Sequence, residues 1–207
     1  MKTDDGLVRL LSHDVLNGLL SGDHNSTAGI SEVEGMRLAW LAQQIPAGGD
    51  IVEIGTHRGK SICWMGTACL EAGNTTARVF GVDLWTKGGS FAHYSSQETW
   101  RIFNEQVAKM GLKGFIRPRM MSSMEAAAKR AKPIHLLFID ANHKYPFVRE
   151  DYEVWSKFVT PGGWIAFHDY TERFKGVMRV VDELVKPSGL WEEWRVDGRL
   201  WSGRRAP

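Results

Sequence analysis

The apolar positions of the chain fall into short solid runs separated by longer stretches of helical spacing. Ile51-Val-Glu-Ile54, bounded by glycine, has the length and content of a buried strand. Val79–Asp83, Phe115–Met120, His135–Asp140 and Trp164–Phe167 read the same way, the last after a Pro161-Gly-Gly163 turn. Between them lie helical patterns over Ser61–Ala72, Gln97–Met110, Ser123–Ala131, Val148–Val159 and Val177–Val185. Two further helices precede the first strand. One covers Leu7–Leu20. The other opens after Ser31, where Glu34 completes a capping box, and ends at Pro46-Ala-Gly-Gly49.

Strands alternating with helices predict an α/β architecture with a parallel sheet covered on both faces. Two last strands, near Trp194–Val196 and Leu200–Ser202, have no helix between them and predict an antiparallel hairpin at one sheet edge. The 207 residues suit a single domain, with N-terminal helices over 1–45 and an α/β core over 50–207.

Composition narrows the function. With 43% hydrophobic and 24% charged residues the chain reads as a soluble globular protein, and a net charge of +2 does not suggest a nucleic-acid partner. Arg195, Arg199, Arg204 and Arg205 read as a solvated tail. No secretory signal or membrane-length apolar run is present, so no membrane partner is expected. Cys63 and Cys69 fall on different faces of one helix and read as buried thiols, which fits a cytoplasmic location.

In open sheets of this kind ligands bind beyond the carboxyl ends of the strands. Polar residues gather there at five consecutive strands: Glu53 to Gly59, then Asp83, then Ser122-Ser123, then Asp140, then His168-Asp169. Gly55 and Gly59 let the backbone approach a ligand before a helix begins. The loop is not G-x-G-x-x-G, which argues against a dinucleotide, while Asp83 can accept from both hydroxyls of a ribose.

Val52-Glu-Ile-Gly-Thr-His-Arg-Gly-Lys-Ser61, Gly81-Val-Asp-Leu-Trp85, Phe138-Ile-Asp-Ala-Asn-His-Lys-Tyr145 and Pro161-Gly-Gly-Trp-Ile-Ala-Phe-His-Asp-Tyr170 resemble the class I S-adenosylmethionine-dependent methyltransferases. The similarity is greatest to a small bacterial O-methyltransferase branch that includes macrolide-sugar and cephalosporin-pathway relatives. The resemblance implies a Rossmann-like, mostly parallel seven-stranded sheet with an antiparallel C-terminal hairpin. It implies S-adenosylmethionine as cofactor, with Glu53, Gly55 and Gly59 about the methionine half and Thr56 and Ser61 also among the cofactor-binding residues. Asp83 would hold the ribose, Leu84 and Trp85 would flank the adenine, and Ser122, Ser123 and Asp140 would complete the site. The implied acceptor is a small-molecule or sugar hydroxyl.

The same resemblance carries over a cation site at Asp140, His168 and Asp169, with magnesium, manganese or another transition ion as candidates. An imidazole beside two carboxylates suits the transition ions better than an all-oxygen site. His143, three residues after Asp140, is the candidate general base, with a fourth metal ligand as the alternative. Gly88–Tyr94 reads as a lid or as a surface loop, and the first helix as acceptor pocket or homo-oligomer contact. N-methylation, a macromolecular acceptor, or a non-catalytic cofactor-binding subunit are the alternatives. An Asp-Pro-Pro-Tyr loop is absent, and the surplus acid–base residues disfavour the last.

Overall fold

The computed structural model describes residues 29–85 and 96–207; the expected Leu7–Leu20 helix and Gly88–Tyr94 lid lie outside them. Seven strands form one sheet in the order β3-β2-β1-β4-β5-β7-β6. They are β1 (Asp50–Ile54), β2 (Arg78–Asp83), β3 (Ile116–Met120), β4 (Ile134–Ile139), β5 (Val159–Phe167), β6 (Trp191–Asp197) and β7 (Leu200–Arg205). β1 to β5 are parallel, whereas β7 runs antiparallel to both β5 and β6. The chain order reverses between β1 and β4, which opens a crevice at their carboxyl ends.

Two apolar layers cover the sheet. One includes Leu38 and Leu41 of α1 (Glu32–Gln43), Ile62 and Trp64 of α2 (Lys60–Glu71) and Phe103 of α3 (Ser96–Lys109). The other joins α4 (Ser123–Ala128), α5 (Tyr145–Trp155) and α6 (Lys175–Val180), the last continued by a π turn over Val181–Val185. Ser31 caps α1 in the expected box with Glu34. α1 sits so close on α2 that a Cβ at Gly35 would lie 2.4 Å from the Trp64 ring.

Several element ends differ from the sequence expectation, three of them for a plain local reason. β5 starts at Val159, before the expected turn. Its pairing jumps from Ile134↔Val159 to Leu136↔Trp164, so the segment carrying Pro161 and Gly162 (φ +74°) bulges within the strand. α5 begins at Tyr145 because Pro146 is suited to a first helical turn. α4 stops at Ala128, and Arg130 beyond it turns to the buried Asp50.

Candidate active site

At the crevice the ends of β1 and β4 lie against each other. Asp140 N–H donates to the Ile54 carbonyl (2.8 Å), and Gly55 N–H donates to Val82 (2.9 Å). Gly55 has φ +89°, and a Cβ there would stand 2.2 Å from the Asp140 carbonyl oxygen. Glycine is therefore required by contact with the neighbouring loop as well as by backbone conformation. Gly59 (φ +83°) caps α2 under the Phe103 ring.

The residues expected to hold the cofactor divide into two sets. Glu53 is buried, Ser61 Oγ donates to its Oε1, and Oε2 has no hydrogen-bond partner among the described residues. Burial holds its carboxyl well above the usual range. Asp83 accepts from the backbone N–H of His57 (2.8 Å) and of Trp85 (3.1 Å), one on each oxygen, which leaves lone pairs on both. Leu84, half-buried, follows it.

The other set packs or bonds within the scaffold, Thr56 by packing alone, since its buried Oγ1 has no hydrogen-bond partner among the described residues. Thr56 is buried against Gly81, where a Cβ would come within 2.6 Å of its Oγ1. Trp85 turns inward: its Nε1–H donates to the His57 carbonyl (2.7 Å), and its ring packs 4.7 Å from Phe103 and 4.9 Å from Trp100. Ser122 caps α4. Ser123 donates to Asp151 and accepts from Trp155 Nε1–H (2.8 Å), tying α4 to α5.

The reactive groups gather past β4 and β5. Asp140, His143 and Asp169 place a potential ligand atom each within 4.8 Å of one another. His143 Nε2 lies 3.2 Å from Asp169 Oδ2 and 3.7 Å from Asp140 Oδ1, and its ring packs on Phe174 at 4.4 Å. Its Nδ1 has no hydrogen-bond partner among the described residues. Asp169 adopts φ +57°, a left-handed conformation that a short aspartate tolerates.

His168, expected as a ligand beside the two aspartates, lies beside both, with Nδ1 3.7 Å from Asp169 Oδ2, and also meets two carboxylates at hydrogen-bond distance. Nδ1 lies 3.2 Å from Asp140 Oδ1, and Nε2 lies 3.3 Å from Glu34 Oε2. Burial opposes charge on this ring, yet Asp140, then Glu34 and Asp169, push it up to about 10. A carboxylate at each nitrogen suits a protonated ring that can donate from both. For Asp140 burial would raise the carboxyl, but His168 and His143 together hold it below the usual range. The converging ligand atoms are those of Asp140, His143 and Asp169, while the second nitrogen of His168 is turned to Glu34.

Two members of this site were not singled out in the sequence. Glu34 reads there only as a helix-capping residue, and Arg199 as part of a solvated tail. Glu34 is 1% exposed and accepts from His168, from Ser31 N–H (2.7 Å) and from Arg199 N–H (2.7 Å). Burial works against its charge, and these donors hold its carboxyl below the usual range. Arg199 Nη1 donates to Asp169 Oδ1 (2.7 Å) and Nη2 to the Gly29 carbonyl (2.8 Å). Arg204 and Arg205 likewise bond backbone carbonyls, at Gly162 and at Val159 and Ser156. The available signal was Asp197-Gly198, which opens a two-residue hairpin turn of Gly198 and Arg199, and the Arg199 carbonyl accepts from Tyr170 N–H just past β5.

Comparison with known proteins decides the family. A family described as "Methyltransferase domain" matches residues 52–170. The chain belongs to this family. It shares its fold with solved structures of low sequence identity. An O-methyltransferase from Bacillus cereus, in complex with SAH, is 17% identical at TM-score 0.68, over 98% of this chain and 96% of that one. TomG, an O-methyltransferase of Streptomyces achromogenes in complex with SAM, is 17% identical at TM-score 0.66, over 100% and 92%. The uncharacterized protein y4gI of Sinorhizobium fredii is 26% identical over 146 residues, which is 70% of this methyltransferase. The chain spans only 14% of that relative's length. Among the described residues no helix is long and apolar enough to cross a membrane.

Proposed function

We propose that this methyltransferase methylates a hydroxyl of a small molecule or sugar, with His143 as general base. The observation that carries the reading is the His143 ring, whose Nε2 stands 3.2 Å from Asp169 Oδ2 while Nδ1 has no partner among the described residues. S-adenosylmethionine, when bound, supplies a methyl group on a cationic sulfur that leaves as a neutral thioether. The buried, unpartnered Oε2 of Glu53 fits the donor's ammonium, and the remaining lone pairs of Asp83 fit ribose hydroxyls.

His143 does the proton chemistry. A carboxylate at Nε2 keeps the proton on that nitrogen and leaves Nδ1 as the acceptor. Nδ1 takes the hydroxyl proton as the acceptor oxygen attacks the methyl carbon. Asp169 and Asp140 then stabilise the imidazolium, and the proton returns to water from a side chain 22% exposed. An O-methyl acceptor needs such a base, because an un-ionised alcohol is a weak nucleophile.

A second reading has a specific observation behind it, the convergence of Asp140, His143 and Asp169. One imidazole and two carboxylates suit a divalent transition ion, which would lower the acceptor's pKa. The experiment that separates the two follows SAH release with a panel of hydroxylated small molecules and sugars, with and without chelator. His143→Ala should lower turnover about 10²–10⁴-fold while SAH binding by calorimetry stays unchanged. Insensitivity to chelator goes with the base. Loss of turnover in chelator and its return with manganese go with the metal. Unaltered turnover in His143→Ala removes both roles.

A further inference from the structure

Six side chains close a ring behind the reaction centre: Glu34, His168, Asp140, His143, Asp169 and Arg199. Successive contacts run 3.3 Å from Glu34 to His168, 3.2 Å to Asp140, 3.7 Å to His143, 3.2 Å to Asp169 and 2.7 Å to Arg199. Arg199 returns to Glu34 through its side chain (3.3 Å) and its backbone N–H (2.7 Å). Four members come from the matched segment 52–170, but Glu34 stands before it and Arg199 after it. Both groups flanking the aspartates therefore answer to one carboxylate on α1.

We propose that Glu34 is a positioning residue of the methyl-transfer reaction, holding His168 and Arg199 so that they fix the carboxylates about His143. The inference rests on the reaction proposed above. The site is built for a carboxylate and nothing else. Each Glu34 oxygen meets two groups: Oε2 accepts from Ser31 N–H and His168, and Oε1 accepts from Arg199 N–H and forms an ion pair with the Arg199 guanidinium. A glutamine has one acceptor atom, so in either orientation one pair of donors meets an amide nitrogen. The turn residue Gly198 (φ +62°) also admits no larger neighbour, since a Cβ there would lie 2.9 Å from Glu34 Oε1. His168 is 3% exposed, so water does not replace a lost partner readily.

Glu34 also caps α1, and a purely structural role must be told apart. Ser31→Ala serves this purpose: it removes the Ser31 Oγ acceptor of the Glu34 N–H and keeps the Glu34 side-chain contacts. With the acceptor that the hydroxyl panel returns, Glu34→Gln should lose about 10–100-fold in kcat. KM and SAH affinity should stay near wild type, as should kcat in Ser31→Ala at an equal or greater drop in Tm. A crystal structure of Glu34→Ala gives a readout that needs no turnover. His168 should leave Asp140, and the Asp140–His143–Asp169 spacing should change. Wild-type kcat in folded Glu34→Gln, an equal kcat loss in Ser31→Ala, or an undisturbed triad in the crystal would each overturn the proposal. A chain that fails to bind SAH fails the proposed reaction instead, and the crystal readout still judges Glu34.

Discussion

Three of the four non-glycine residues with positive φ among the described residues stand at strand carboxyl ends, His57, Trp85 and Asp169. Strain of that kind persists where surrounding contacts over-determine it, and here those contacts are the Asp83 carboxylate, the His57 carbonyl and the Arg199 guanidinium. Gly55 shows the same pressure from the opposite side. Gly55→Ala puts a methyl group into the Asp140 carbonyl, a backbone atom that cannot rotate away. It should cost about 2–5 kcal/mol in a urea titration, and a loss under 1 kcal/mol would mean that the β1 and β4 ends separate easily. Glycine at 55 is legible in the sequence as a turn residue. The reason for it, a neighbouring strand 85 positions away, is a packing fact.

At the level of elements, caps and ties decide more than helix preference. α4 and α5 are joined through the Asp151–Ser123–Trp155 contact, with Asp151 only 5% exposed. Burial pushes the Asp151 carboxyl up to about 6, against an ordinary value of 3.8. The folded state thus holds this proton more tightly than the unfolded chain. The associated stability is complete below about pH 4 and is lost as pH rises through 6. Asp151→Asn keeps an acceptor for Ser123 and removes the buried charge. It should stabilise the protein by up to about 3 kcal/mol at pH 8 and by little at pH 4. Equal effects at the two pH values in urea titrations would show that Asp151 titrates normally. Most element positions follow from apolar spacing, as β1, β2 and β4 show to within a residue. The β5 bulge could not be read that way, since proline and glycine look alike in a turn and in a bulge.

Across the whole molecule, α1 near one end of the described chain and the β6–β7 hairpin at the other meet at the ring of charges. Glu34 and Arg199 share partners in it, so their substitutions should not add. Glu34→Gln and Arg199→Met should show a coupling of about 0.5–3 kcal/mol in a double-mutant cycle, and additivity would mean that the ring is not a connected unit. By itself the sequence determined the alternation of strands and helices, the hairpin at the edge, and the placing of Glu53, Asp83, Asp140, His143, His168 and Asp169 at strand ends. Period and turn chemistry are local properties, and they survive in one dimension. Only the tertiary structure decided which of those side chains face one another. His143 and His168 both stand beside the aspartates, and His168 reaches in addition to Glu34, a residue 134 positions earlier. Trp85 and Ser123 serve the scaffold. Pairing between buried charges depends on which elements pack together, and no local pattern in the chain records it.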